Sequence, residues 1–175
     1  MKETRIPVDV IMERVRLENR WIGERWQPAA VSEASETGED AQSTPILEER
    51  SDAGERWRFR ACPIEVHRSE AEGYYLNVSA PDPRVFVMWR LFDDGQEPVA
   101  RPVVVTLSYN EAARMMDGGE QVDSVQLPAW LRDWLAPFIA EHYKPEPRKK
   151  AKRNDPFADQ GGRDPMFDAG KIRRS

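Results

Sequence analysis

The stretch Arg56-Trp57-Arg58-Phe59-Arg60 alternates between basic and aromatic side chains along its whole length. Successive side chains of a β-strand point to opposite faces of the sheet. Trp57 and Phe59 therefore share one face, and the three arginines share the other. A period of two with one charged side predicts a β-strand that has one buried and one solvated face.

Apolar segments on both sides of this stretch predict further strands. They are rich in β-branched and aromatic residues, which suit a pleated surface, and they lie at 5–17, 21–32, 64–68, 74–79, 85–92 and 103–107. Turn residues separate them, and a parallel crossover would need about a dozen residues or more. The short connections therefore favour antiparallel pairing.

Two helices are expected after the strands. Ser108-Tyr109-Asn110-Glu111 is a capping box, in which the serine hydroxyl accepts from the Glu111 amide and the Glu111 carboxylate from the serine amide. Pro128 opens the second helix, and Pro137 should kink or restart it. The predicted fold class is α+β, an antiparallel sheet or half-barrel of about six to seven strands with two C-terminal helices and a disordered tail.

Charge and composition divide the chain into a body and a tail. Residues 144–175 contain ten Lys or Arg against five Asp or Glu, whereas residues 1–143 contain 16 against 26. We expect a single β-rich globular domain over 1–143 and a disordered basic tail over 144–175. Within the domain, residues 33–54 are Ser-, Glu- and Gly-rich and predict a mobile acidic loop.

Several classes of site are disfavoured by the composition. The single cysteine, Cys62, and the two histidines, His67 and His142, are too few for a disulfide framework or a four-ligand zinc site. The glycine pairs match no nucleotide-binding loop. No apolar run is long enough for a signal peptide or a membrane span. We expect a cytoplasmic protein with no metal, no cofactor and no membrane association.

Three residues need a closer reading because their side chains are reactive in other proteins. His67 shares a predicted strand face with Glu65, so a carboxylate-held general base is conceivable, although a solvated strand face explains the pair better. His142 fits the favourable charge at a helix C-terminus, and Cys62 fits a small core residue. No catalytic residue is predicted.

Partner binding has more support in the sequence, and it has three candidate locations. The row of Arg56, Arg58 and Arg60 could hold an anion or an acidic partner. The basic run comprises Arg148, Lys149, Lys150, Lys152 and Arg153. The tail also repeats an Asp-Pro motif with an aromatic anchor, Phe157 in the first copy and Phe167 in the second. Nucleic acid is the less favoured ligand, because no aromatic residues interleave the basic run and the attached body is acidic.

The order of these segments resembles a bacterial family, domain of unknown function 3305. The resemblance rests on Ile6-Pro7-Val8 to Arg14, Trp21 with Trp26-Gln27-Pro28, Ile64 to Arg68, Tyr74 to Ser79, Pro83 to Val87, Val105 to Ala112, and His142-Tyr143. It implies a gene neighbourhood shared with formate dehydrogenase and its maturation factors. Some members are labelled molybdopterin-guanine dinucleotide biosynthesis protein A, but residues 1–30 lack the glycine-rich loop which that activity needs.

The expected function is therefore that of a non-catalytic accessory or binding protein. The resemblance implies a formate dehydrogenase subunit or maturation factor as its partner. Two alternatives stay open. An enzyme acting on a nucleotide or molybdopterin predicts a pocket that converges on His67 and the arginine row, and a nucleic-acid-associated protein would use the basic tail.

Overall fold

Two antiparallel sheets and three helices make up the described part of the chain, residues 3–42 and 44–147 of this computed structural model. The strands are β1 (Arg5–Arg16), β2 (Glu24–Glu33), β3 (Ile46–Ser51), β4 (Gly54–Glu65), β5 (Arg84–Leu91), β6 (Ala100–Thr106) and β7 (Gln121–Gln126). The helices are α1 (Ala71–Val78), α2 (Tyr109–Asp117) and α3 (Ala129–His142). The sheets have the strand orders β2-β1-β4-β3 and β6-β5-β7. The predicted α+β class is confirmed.

The apolar core joins both sheets to the last helix. Alternate residues of β1 and β5 are buried together with one face of α3; the group includes Val8, Val10, Met12, Val85, Val87, Leu131 and Leu135. The Tyr74 ring packs edge-on against Phe138, with 5.9 Å between ring centroids. Each large apolar side chain that folding removes from water contributes roughly 1.5–3 kcal/mol, so this core is the main source of stability.

The prediction of a strand at 74–79 is wrong, because α1 covers most of that segment. Tyr74 and Asn77 are both buried, and they are three residues apart as one helix face requires. The Asn77 side chain donates to the carbonyl oxygens of Arg84 and Leu107 and accepts from the Arg84 amide. These bonds tie the helix to the strand that follows, which outweighs the strand preference of the tyrosines and valine.

The segment 33–54 is more structured than the predicted loop. A short 3-10 helix spans Glu39–Gln42, and β3 pairs antiparallel with β4. Ala41 is buried, and the Gln42 side chain donates to the carbonyl oxygen of Ala61 at 2.7 Å. All six residues of β3 are exposed, so backbone pairing and polar contacts, not apolar burial, hold this strand in place.

The helix ends differ from the sequence prediction in detail. The Ser108 hydroxyl accepts from the Glu111 amide at 3.1 Å, which confirms one half of the capping box. The other half runs through Thr106, whose hydroxyl accepts from the Ser108 amide and donates to the Glu111 carboxylate. Pro137 does not restart α3, which continues to His142. β7 was not predicted, since only two of its six residues are apolar.

Gly73 lets the first helix approach the start of the second. A Cβ atom at this position would lie 2.2 Å from the Ser108 hydroxyl oxygen, which already holds the α2 cap. Helix propensity alone predicts that Gly73→Ala stabilises the protein by up to about 1 kcal/mol. The contact reverses the sign, and we expect the free energy of unfolding to fall by about 1–3 kcal/mol, measured by urea denaturation.

Gly118→Ala is the matched control, because a Cβ atom there meets its nearest neighbour at an ordinary 3.4 Å. A denaturation midpoint for Gly73→Ala at or above that of the wild type would contradict the close packing of α1 on Ser108.

Candidate functional site

A β-bulge divides the arginine row. Val8 pairs with Cys62 and Val10 pairs with Phe59, so Asp9 alone faces two residues of β4, Arg60 and Ala61. Ala61 has a φ of 52°, which non-glycine residues rarely adopt. The extra residue shifts the alternation of β4 by one, so Phe59 and Cys62 both contact the core.

Two of the three arginines are committed to ion pairs within the chain. Arg58 contacts Asp9 at 3.0 Å and also pairs with Glu48. Arg60 lies 2.6 Å from Glu36 and donates to the carbonyl oxygen of Thr44. Arg56 is exposed. The predicted anion-binding role of the row stays a prediction, and it would have to compete with these carboxylates at two of its three positions.

Asp9 is the carboxylate that organises this region. It is fully buried and accepts four hydrogen bonds, from the Ser35 amide and hydroxyl, from Arg58 and from the Ala61 amide. Burial raises the pKa of Asp9, but the bonds from Ser35, Ala61 and Arg58 outweigh it and leave that pKa below 3.8. The carboxylate therefore stays ionised and fixes Ser35, just beyond β2, to the bulge.

An apolar groove opens between β4 and β6. Its cavity of about 200 Å³ is lined by Gln42, Phe59, Arg60, Cys62, Pro63, Pro102, Val103 and Val105. Val103 is 43% exposed, so the groove is open to solvent along β6. The Nε atom of Arg60 is buried and has no hydrogen-bond partner in the described part of the chain. Such a donor could be satisfied by an acceptor on a bound partner.

Further exposed apolar side chains lie on the edge strands β3 and β6, at the end of β5 and on the loop between β5 and β6. We define the edge surface as Ile46, Leu47, Leu91, Phe92, Val99 and Val103, all of which are exposed. The ion pair between Arg50 and Glu97, at 3.0 Å, links β3 to this loop. Arg101 stacks over the Phe92 ring at 4.8 Å and pairs with Asp94. The edge surface is thus held in place by charged contacts at its rim.

A second cavity contains both histidines. Thr4, Val66, His67, Arg68, Phe138, Glu141 and His142 line a cleft of about 520 Å³ at the end of α3. His67 lies beyond β4, not on the predicted strand face, and its amide donates to the Tyr74 hydroxyl. Glu65, its predicted partner, lies 3.6 Å from Arg5. The histidine cleft and the groove that Arg60 lines are separate cavities, so His67 and the arginine row do not converge.

The remaining predicted partner-binding residues belong to the basic run and to the tail motif. Arg148, Lys149, Lys150, Lys152, Arg153, Phe157 and Phe167 lie outside the described residues. Within the described ranges, no group of three or more His, Cys, Asp or Glu side chains could hold a metal ion. None of the helices in those ranges is long and apolar enough to cross a membrane.

Sequence reasoning missed the exposed apolar residues. Trp21 was placed in a predicted strand, but β2 begins at Glu24 and Trp21 lies in the preceding turn. Trp26, which the same predicted strand contained, packs against the core. The polar residues at 18–20 lie directly before Trp21 in the sequence. They were the signal that could have placed Trp21 in a turn and not in a strand.

The fold defines an α+β domain with two antiparallel sheets, whose surface carries an apolar groove and a histidine cleft. The chain belongs to the family described as protein of unknown function DUF3305, which matches residues 7–152. The resemblance to that family is therefore confirmed. Neither a curated protein nor a solved structure matches the chain.

Asp9→Asn tests the role of the buried carboxylate. The substitution keeps the shape but removes the charge that faces Arg58 and the two amides. Breaking a buried ion pair on one side commonly costs about 3–5 kcal/mol; because Arg58 is partly exposed, we expect about 2–4 kcal/mol in urea denaturation. Asp52→Asn, at an exposed aspartate in the turn between β3 and β4, should change stability little and serves as the control.

The same pair of proteins gives a pH prediction. The pKa of Asp9 is lower in the folded protein than its ordinary value of 3.8. The stabilisation by Asp9 is therefore complete above pH 3.8, and it is lost as the pH falls through the pKa of the folded state. The stability difference between wild type and Asp9→Asn should therefore narrow below that pH. A difference that stayed constant down to full acid unfolding would contradict an ionised Asp9.

Cys62 is expected to react slowly with thiol reagents. Burial, and then the nearby Asp9 charge, raise the pKa of its thiol from 9.0 to about 12. The thiolate is the nucleophile, and three pKa units reduce its population roughly a thousandfold. The rate of reaction with a disulfide reagent at pH 8 should be at least about a hundredfold lower in the native protein than in urea. Equal rates would refute the shielding of Cys62.

Proposed function

We propose that the protein is a non-catalytic accessory protein that binds a protein partner, in the maturation of formate dehydrogenase or of another molybdoenzyme. The observation that carries this proposal is the edge surface, which has six exposed apolar side chains, one of which, Val103, also lines the open groove between β4 and β6. Scattered apolar residues are normal on a protein surface, whereas a group that adjoins a groove is typical of an interaction site.

The electrostatics of the described domain support the same proposal. Charged side chains at the rim of the edge surface are paired with one another, as in Arg50 with Glu97 and Arg101 with Asp94. Such pairs hold the surface in one shape, and they leave its apolar side chains to contribute binding energy. An apolar centre with a charged, solvated rim is the usual arrangement of a protein interface.

The partner proposed for this surface is a formate dehydrogenase subunit or a maturation factor. Its support is the family membership, together with the gene neighbourhood that the resemblance implies. The proposal retains the cytoplasmic location expected from the sequence.

An enzyme that acts on a nucleotide or a molybdopterin is the second candidate function. The histidine cleft favours it, because about 520 Å³ is in the range of small-molecule sites and the cleft contains both histidines and Arg68. A role for the basic tail in nucleic-acid binding remains a prediction.

The test is a gene deletion in the native host, grown under conditions that require formate oxidation. We expect formate dehydrogenase activity in cell extracts to fall at least about tenfold, and a wild-type copy to restore it. Val103→Asp should fail to restore activity, because it places a charge in the apolar interface. Met116→Asp is the control, since Met116 is similarly exposed but lies on α2.

Urea denaturation of both purified variants is the control that checks whether each one is folded. Unchanged dehydrogenase activity in the deletion strain would refute the proposed function. If Val103→Asp restored formate dehydrogenase activity as fully as Met116→Asp, the edge surface would instead be refuted as the binding site.

A further inference from the structure

The turn between β1 and β2 is a closed, hydrogen-bonded tip. The Leu17 amide donates to the carbonyl oxygen of Gly23 at 3.1 Å, which closes the loop at its base. The Trp21 amide donates to the Asn19 side-chain oxygen at 3.1 Å, which fixes the chain within it. We refer to residues 16–25 as the hairpin tip.

The hairpin tip presents its two largest apolar side chains to solvent. Trp21 is 90% exposed and Ile22 is 55% exposed. Trp26, five residues further on, packs against the core, so the exposure of Trp21 is a property of its position in the turn. Tryptophan is the residue type most enriched among side chains that dominate the energy of protein interfaces.

The charge of the hairpin tip is opposite to that of the body. Arg16, Arg20 and Arg25 are exposed and have no ion-pair partner within the described residues, and Glu18 is also unpaired. The other acidic residue, Glu24, is paired with Arg14 at 3.1 Å. Three free arginines therefore lie within five residues of Trp21 in the sequence, against one free glutamate, in a body where Asp and Glu outnumber Lys and Arg by 26 to 16 over residues 1–143.

We propose that the hairpin tip is a docking element that inserts Trp21 into an apolar pocket of a partner protein, and that carboxylates on the pocket rim pair with Arg16, Arg20 and Arg25. A convex tip with one large aromatic side chain fits a concave pocket. The positive tip on an acidic body selects an acidic site and orients the approach. An anionic lipid surface is extended and would also repel the acidic body, whereas carboxylates confined to a pocket rim would face the hairpin tip, so a protein is the favoured ligand.

This proposal concerns a different surface from the edge surface and does not depend on the partner being a molybdoenzyme component. Trp21 and Ile22 lie in the β1–β2 turn, whereas the edge surface comprises residues of β3, of β6, of the end of β5 and of the chain between β5 and β6. A protein that contacts both surfaces would be held by two independent sets of apolar anchors.

The experiment uses the tagged full-length chain, expressed in the native host, in four forms. These are the wild type, Trp21→Ser, the double charge variant Arg20→Glu with Arg25→Glu, and the control Met116→Ser. We expect a discrete protein that the wild type and the control retain and that both tip variants lose. With that protein purified, Trp21→Ser should raise the Kd of its complex with the full-length chain at least about thirtyfold. Added salt should weaken the wild-type complex.

Charge reversal then tests the chemistry of the pocket. Replacing carboxylates on the partner's rim by lysine should restore binding of the Arg20→Glu, Arg25→Glu variant and weaken binding of the wild type. A complex that Trp21→Ser leaves unchanged, or the absence of any protein that the wild type retains and this variant loses, would overturn the proposal.

Vesicles of phosphatidylglycerol and phosphatidylcholine distinguish a membrane role. Flotation of the wild type with them, abolished by Trp21→Ser, would overturn protein docking in favour of lipid binding. A partner whose binding depends on Trp21 but which has no role in formate oxidation would support the hairpin tip as a docking element. The deletion strain tests the proposed function separately.

Discussion

The buried carboxylate of Asp9 is the interaction on which the larger sheet depends. A β-bulge leaves the Ala61 amide without a partner in the strand ladder, and Asp9 accepts its hydrogen bond at 3.0 Å. The same carboxylate also binds Ser35 and Arg58. A buried charge is costly unless it is fully paired, so all these groups must come together in the one arrangement that satisfies them.

The bulge also determines which side chains face the core. Before it, Trp57 and Phe59 follow the alternation of an ordinary strand; after it, Cys62 and Ile64 take the inward positions. Arg60 is consequently drawn towards the groove between the sheets. The bulge thus links the stability of β4 to the shape of the groove, and it turns the partly buried Cys62 towards the core, where burial raises the pKa of its thiol.

Polar clusters and apolar surfaces have separate roles in this domain. Three of the buried polar side chains make structural contacts: Ser108 caps α2, Asn77 joins α1 to β5, and Asp9 secures the bulge. Trp21, Ile22 and the six residues of the edge surface, by contrast, are exposed to solvent. The hairpin tip and the edge surface present such residues from hydrogen-bonded backbone, which reduces the entropy lost when a partner binds.

The sequence by itself determined the elements whose signal is local. Alternation at 56–60 predicted β4, Ser108 predicted the start of α2, and Pro128 predicted the start of α3, because each pattern depends on neighbours a few residues apart. The α+β class followed from those elements. The family resemblance rested on the order of these segments, and the family match over residues 7–152 confirmed it.

The tertiary structure decided what depends on distant residues. Asn77 makes its bonds to Arg84 and Leu107, which turned a predicted strand into α1. Asp9 and Arg58 are 49 residues apart, so no local pattern could show that one arginine of the row is neutralised. The exposure of Trp21 likewise follows from where the turn falls. Burial and charge pairing are properties of the folded chain, and for that reason both proposed binding surfaces became visible only in the structure.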